Sequence, residues 1–125
     1  MNENNDTTAV EPVWAVDLAS VPWTAYEDEH LPSGDLAAQL KIVNPNLFYA
    51  KFPPGFTAPV HSHPFATTYY VTQGRIRFGD EGWISAGQFR GVHAGHAYGP
   101  EEADPERGCE FILWSTGPIS VDWAS

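Results

Sequence analysis

Hydrophobic and polar residues alternate along much of the chain in short runs, a pattern that predicts β-strands. In residues 36–43, Leu36, Leu40 and Ile42 share one parity, which indicates a strand with one apolar face. A short helix over residues 35–41 is the alternative, because Ala, Leu, Gln and Lys are good helix formers. The chain shows neither a long amphipathic helix nor an internal repeat.

An Asn-Pro-Asn turn signal follows this segment, and the apolar run over residues 47–52 predicts the second arm of a hairpin. An earlier strand is expected over residues 13–18, ended by the step Pro22-Trp23. Further short strand candidates, separated by turn residues that include Gln73-Gly74, are 57–63, 67–72, 75–79, 83–85, 89–93 and 110–115, with a loop over 99–108 between the last two. Strands of this number and spacing predict an all-β sandwich or barrel.

Composition agrees with one globular domain and limits the partners. The chain has 125 residues, of which 42% are hydrophobic and 14% aromatic, enough for a packed core. We expect a flexible segment over residues 1–10 and a single domain over 11–125. Six basic against sixteen acidic residues give a net charge of −10, which repels phosphate backbones and anionic membranes and so excludes nucleic acid as a partner.

The cellular setting follows from what the sequence lacks. Cys109 is the single cysteine and cannot form an internal disulfide. The polar N-terminus has neither the basic nor the apolar region of a signal peptide, and no apolar run approaches the ~18 residues of a membrane span. We therefore expect a cytoplasmic protein that binds no membrane.

His61 and His63 carry the strongest chemical signal in the chain. Alternate side chains of a strand point to one face, so both imidazoles should project together, as the ligands of a transition metal do. Two histidines could also hydrogen-bond in a polar cavity without a metal. A stable site generally has three or more protein ligands, so further residues are needed to complete it.

The residues around this pair resemble the first conserved motif of the cupin superfamily, G-x5-H-x-H-x3-E-x6-G. The match begins at Gly55 and ends at Gly74, with Thr67 at the position of the motif's Glu. The resemblance implies a cupin-type antiparallel β-barrel, also described as a double-stranded β-helix or jelly roll. It also implies a divalent transition metal such as Fe, Zn, Mn or Ni, a small-molecule substrate and a homodimer, for which the N-terminal strand with Trp14 and Trp23 is a candidate surface.

The second cupin motif, G-x5-P-x-G-x2-H, aligns on Gly87 and Gly95. His93 replaces its Pro, and Tyr98 replaces the His that usually completes the metal site. Two of the four ligand positions implied by the resemblance are therefore substituted, and the remaining ligands have to come from elsewhere in the chain.

His96 and Asp80 are the candidates for those ligands. His96 lies two residues before Tyr98 and shares its face if the segment is a strand, although a solvated turn histidine is equally consistent. Asp80 continues the alternation of Ile76 and Phe78 and is expected to point inward, although Asp-Glu-Gly is also an ordinary turn. We rank His93 below His96 as a ligand.

Tyr98 and Arg90 are the candidate catalytic residues. A phenol has an ordinary pKa of about 10 and is more often a proton carrier than a ligand. Arg90 occupies a motif position that is usually apolar and could hold a carboxylate or enolate. The alternatives for Arg90 are an ion pair with Asp80 or Glu110, or a side chain that reaches to solvent.

Together these features and the resemblance imply a small metal-dependent cupin enzyme that acts on a low-molecular-weight organic substrate. A non-haem iron dioxygenase is the leading hypothesis. A non-redox isomerase, cyclase or lyase, and a non-catalytic cupin that binds a small ligand, are the alternatives.

Overall fold

The computed structural model describes residues 13–124 and consists mainly of antiparallel strands. In chain order they are β1 (Thr24–Tyr26), β2 (Ala38–Asn44), β3 (Leu47–Phe52), β4 (Thr57–Ala58), β5 (His61–Ser62), β6 (Thr67–Phe78), β7 (Trp83–Ser85), β8 (Phe89–Val92), β9 (Glu101–Ala103), β10 (Cys109–Ser115) and β11 (Asp122–Trp123). Three single-turn 3₁₀ helices lie at Leu18–Ser20, Gly34–Leu36 and Gly79–Glu81. The predicted flexible segment over residues 1–10 lies outside the described residues. Within residues 13–124, no helix has the length and apolar character that crossing a membrane would require.

Strand β6 is the element around which the sheet is organised. Its first half pairs with β10 and β8, and its second half pairs with β7 and β9. The order β1-β2-β3-β10-β6-β9-β4 describes one curled antiparallel sheet, and the short pair β11-β5 closes beside it. The all-β prediction is therefore confirmed.

The turn predicted at Gln73-Gly74 is wrong, because β6 continues through it as one strand of 12 residues. The pairing with β10 shifts register here, so that Gln73 opposes Glu110 whereas Val71 opposes Phe111. Because of this bulge, the odd-numbered residues of β6 are buried before Gly74, and the even-numbered residues are buried after it. Both halves of β6 can thus present an apolar face to the same interior.

Other segments differ from prediction at short or irregular elements. Residues 13–18 form no strand, and Val13 is 89% exposed, so the first strand is β1 instead. The segment 57–63 divides into β4 and β5, and β9 lies inside the predicted loop 99–108. The hairpin arm 47–52 and the strand interpretation of the segment before it are confirmed. The homodimer through an N-terminal strand stays a prediction.

The core lies on the concave face of the sheet. Its largest fully buried side chains are Tyr69, Phe56, Phe78, Phe111, Ile76 and Val71. Burying an apolar side chain of this size stabilises the fold by about 1.5–3 kcal/mol. Three of them, Tyr69, Phe56 and Phe111, also line a cavity.

We expect Gly74→Ala to destabilise the protein more than Gly87→Ala. Both glycines have positive φ, 68° and 91°, a conformation that costs other residues about 1–2 kcal/mol. A Cβ at Gly74 would also overlap the carbonyl oxygen of Gly108, whereas a Cβ at Gly87 would meet open space. Urea unfolding should show a free energy lower by about 2 kcal/mol in Gly74→Ala than in Gly87→Ala. Equal losses would mean that the bulge relaxes freely.

The free energy of unfolding should depend on the ionisation of Asp104 at acidic pH. The side chain of Arg75, 2.7 Å from Oδ2, and the backbone N–H groups of Arg107 and Glu106 hold the pKa of Asp104 at about 2. Because the unfolded value is higher, this carboxylate stabilises the fold above about pH 4, and the contribution is lost as the pH falls toward 2. Asp104→Asn should lower stability at neutral pH and flatten its decline between pH 4 and 2 in urea titrations. Asp35→Asn, at an exposed site, is the control that should leave the slope unchanged.

Candidate functional site

A cavity of about 220 Å³ opens on the concave side of the sheet. Its walls are mostly apolar and include Leu40, Phe48, Phe52, Phe56, Phe111 and Leu113. The polar side chains His61, His63, Tyr69 and Glu101 also line it, and hydrogen bonds join three of these four into one cluster, through Tyr98. The cavity is thus an apolar pocket with one polar region, the usual design of a small-molecule site.

The two histidines of β5 have one ring nitrogen each held by the backbone. Nδ1 of His61 lies 2.8 Å from the carbonyl oxygen of Pro59, and Nδ1 of His63 lies 2.7 Å from that of Ser120. Carbonyl oxygens only accept, so both Nδ1 atoms carry hydrogen and both Nε2 atoms present lone pairs. Burial lowers the pKa of both imidazoles. Neutral rings oriented in this way are what metal-binding histidines require.

Glu101 is the site residue that sequence reasoning missed. It lies in β9, is 3% exposed, and places Oε2 at 3.7 Å from Nε2 of His61. Burial raises the pKa of Glu101 to about 7. The segment was predicted to be a loop, and the nearness of Glu101 to Tyr98 in sequence was the one available signal. Thr67, at the motif position of Glu, is buried on β6, so the carboxyl group of the site comes from a different strand.

Tyr98 connects the histidines to Glu101. Backbone hydrogen bonds of 3.0 and 2.9 Å pair Tyr98 with His61, which directs its phenol into the site. Nε2 of His63 accepts from the Tyr98 hydroxyl at 2.8 Å, and the Tyr98 hydroxyl contacts the hydroxyl of Tyr69, which lies 3.2 Å from Oε2 of Glu101. Burial raises the pKa of both phenols, so both remain protonated.

The protons along this chain depend on the state of Glu101. With an ionised carboxylate, Tyr69 donates to Glu101 and Tyr98 donates to His63, so no proton is left for the contact between the two phenols. With a protonated carboxyl group, each of the three contacts has one proton. Because the pKa of Glu101 is about 7, both arrangements are accessible near neutral pH.

The structure does not bring His96 or Asp80 to the histidine pair. Both are exposed and line a separate, more open depression together with Glu81. Strand β6 ends at Phe78 and the chain turns into a 3₁₀ helix, so the inward parity expected of Asp80 does not continue. His96 lies in a turn and not in a strand, and its backbone N–H donates to the carbonyl oxygen of His93. The side chain of His93 is also exposed.

Arg90 lies behind the site instead of in it. The guanidinium is buried and forms a bidentate ion pair with Glu81, with N···O distances of 2.7 and 2.8 Å. An ion pair was one of the alternatives predicted for Arg90, but its partner is Glu81 and not Asp80 or Glu110. It stacks 3.9 Å from the ring centroid of Phe78 and 4.4 Å from that of Tyr98. Arg90 therefore supports the Tyr98 ring and is not among the residues that line the cavity.

The C-terminal segment closes the cavity and holds the histidines. Ser120 provides the acceptor for His63, and β11 pairs with β5 so that Trp123 opposes His61. The indole of Trp123 stacks on His30 at 4.9 Å, and its N–H donates to Asp28 at 3.2 Å. Cavity wall and histidine orientation thus depend on the same segment.

The donor chemistry of this site fits a divalent transition metal. Two neutral imidazoles whose Nε2 lone pairs have no backbone partner, and one nearby carboxyl group, are suitable ligands. Residues 13–124 contain no group of three or more His, Cys, Asp or Glu side chains placed closely enough to hold a metal ion as they stand. A metal at Nε2 of His63 would replace the hydrogen bond from Tyr98.

Comparison with solved structures identifies proteins of the same fold. A polyketide cyclase, RemF from Streptomyces resistomycificus, superposes with a TM-score of 0.70 at 15% identity over 90% of this chain and 86% of its own. An acetylacetone dioxygenase from Acinetobacter johnsonii gives 0.63 at 12% identity, covering 92% and 80%. An RmlC-like cupin from Ralstonia eutropha gives 0.66 at 21% identity, covering 87% and 78%. No protein-family model and no curated protein matches the chain.

We expect Trp123→Ala to loosen the orientation of His63 more than that of His61. The acceptor of His63 belongs to the C-terminal segment that the indole anchors, whereas the acceptor of His61 lies two residues away on the same segment as His61. NMR of the imidazole protons should show faster exchange of the His63 Nδ1–H, with the His61 signal less affected. Trp114→Ala, at a residue that is 57% exposed, is the matched control. Unchanged exchange in Trp123→Ala would show that Ser120 is held independently of the indole.

Proposed function

Because this chain has the fold of the cupin superfamily, we propose that it is a cupin enzyme that acts on a small organic substrate with the help of a divalent transition metal. The observation that carries the proposal is the pair of neutral imidazoles of His61 and His63. Their Nε2 atoms are free of backbone bonds and lie beside the buried carboxyl group of Glu101 in an apolar cavity.

His61, His63 and Glu101 are the proposed metal ligands. Two histidines and one carboxylate form the ligand set of non-haem iron oxygenases, which leaves coordination positions open. Glu101 replaces His96 and Asp80 in this role, because those two side chains are exposed in a different depression. The dioxygenase hypothesis is therefore kept with a different third ligand.

A bound metal would polarise a substrate oxygen as a Lewis acid or, as iron, support reaction with dioxygen. The residues of the chain would bind the substrate, exclude water and hold protons. The apolar walls orient the substrate and exclude water, and the hydroxyl groups of Tyr98 and Tyr69, which contact each other, hold protons beside the proposed ligands. Arg90 keeps the Tyr98 ring in place from behind.

A non-redox isomerase or cyclase is the second candidate. The two buried hydroxyl groups of Tyr98 and Tyr69, in contact with each other, favour it, because such a pair suits the transfer of a proton to or from a carbonyl compound. Solved structures with this fold include proteins named for each chemistry, a dioxygenase and a cyclase. Metal identity and oxygen consumption separate the two candidates.

We expect purified protein to contain close to one equivalent of metal by elemental analysis. His61→Ala, His63→Ala and Glu101→Gln should each weaken metal affinity by at least the 10–100-fold that follows loss of an outer-shell partner. His96→Ala is the control and should retain wild-type affinity, since its side chain is exposed.

The outcomes discriminate between the hypotheses. Metal content unaffected by the two histidine variants would refute the proposed site. Loss of metal in His96→Ala but not in Glu101→Gln would return the third ligand to His96. Tightly bound zinc without oxygen uptake on candidate diketones would favour the non-redox reaction.

A further inference from the structure

The cavity beside the histidines has the size and charge of a site for one particular class of ligand. We infer that its ligand is an uncharged, mainly apolar molecule of about one substituted aromatic ring, bound with a single hydrogen-bonding end toward His61, His63 and Glu101. The inference rests on the proposed function, because it takes this cavity as the substrate site.

The volume sets the size of the ligand. An engineered apolar cavity of about 150 Å³ binds benzene, and this cavity measures about 220 Å³. The additional space corresponds to a few further heavy atoms on a ring. The rings of Phe52 and Phe56, with centroids 4.1 Å apart, and of Phe111, edge-on to Phe52 at 5.0 Å, form an aromatic wall suited to stacking against another ring.

The lining contains no group that would neutralise an anion. Among the described residues that line the cavity there is neither Lys nor Arg. Arg90 is the nearby cation, but it is paired with Glu81 and lies behind the ring of Tyr98. A carboxylate or phosphate would therefore be buried without an opposite charge, which is strongly unfavourable.

A cation is disfavoured for a different reason. The one carboxyl group of the lining belongs to Glu101, which is already in contact with Tyr69 and lies 3.7 Å from His61. The guanidinium of Arg90, 4.4 Å from the ring centroid of Tyr98, adds a positive charge close to this carboxyl group and would repel a bound cation. A bound metal would occupy the same carboxyl group.

The polar end matches a carbonyl or hydroxyl group. Tyr69 lines the cavity and its hydroxyl contacts Tyr98 and Glu101, while Nε2 of His61 presents a lone pair with no backbone partner. A ketone oxygen would accept from Tyr69 in place of one of those partners, and an enol or phenol hydroxyl would donate to Nε2 of His61, while the ring remained among the phenylalanines. The rest of the ligand would need no further polar contact.

Three probes that share a benzyl group test the charge requirement: phenylacetone, phenylacetate and phenethylamine, measured by calorimetry at pH 7. The shift of the Trp123 indole N–H, in the cavity lining, reports binding by NMR. The full chain is used both as purified and after chelation, because a carboxylate could otherwise bind to a metal directly. We expect phenylacetone to bind at least tenfold more tightly than either charged probe in both preparations.

Variants locate the binding in the cavity. Ala50→Leu fills the lining and should weaken phenylacetone binding at least tenfold, whereas Lys51→Met, the next residue on β3 and exposed, should not. If Ala50→Leu fails to fold, Ile42→Trp provides the same test, since Ile42 lines the cavity and is half exposed.

Equal or tighter binding of either charged probe to the chelated protein, or no detectable binding of phenylacetone, would overturn the inference. So would unchanged affinity in the folded cavity variants. Phenylacetone binding by a protein that contains no metal would uphold the ligand class while refuting the proposed function. Metal binding through His61 and His63, with preference for phenylacetate after chelation, would do the reverse.

Discussion

The cost of removing polar groups from water organises this site. A buried polar atom without a partner destabilises a protein by about 1–3 kcal/mol, and here several ionisable side chains lie at the inner end of an apolar cavity. Each has a specific partner: Pro59 for His61, Ser120 for His63, and Tyr69 for Glu101. The same desolvation keeps the imidazoles neutral and raises the pKa of Glu101. Stability and the chemical state of the site therefore have one cause.

This constraint connects parts of the chain that are distant in sequence. The histidines belong to β5, Tyr69 to the bulged strand β6 and Glu101 to β9, while the acceptor of His63 comes from the C-terminal segment. Because β6 pairs with four other strands, its bulge at Gly74 lets both halves face one interior. The C-terminal segment both covers that interior and orients His63.

The charges around the site are arranged in layers. Glu101 and Tyr69 line the cavity, Arg90 lies behind the ring of Tyr98, and Glu81 neutralises Arg90 toward the surface. An arginine on the inward face of a strand is thus compatible with an apolar cavity, since the aromatic rings separate them and a carboxylate pairs with Nε and Nη2 of the guanidinium. Its effect on the site is through support of Tyr98 and through its field, not through contact with a ligand.

The sequence by itself determined the all-β class, most strand positions and the histidine pair. Period-two patterning and turn residues are local signals, and the resemblance of residues 55–74 to the first cupin motif implied the barrel. Tertiary structure alone decided which carboxyl group joins them. Asp80 would point inward only if β6 continued past Phe78, but the chain turns there into a 3₁₀ helix. Glu101 reaches the site because three residues of β9 pair with the far end of β6, a contact between distant segments. The partner of Arg90 was undetermined for the same reason: the tertiary fold, and no local pattern, selects Glu81 over Asp80 or Glu110.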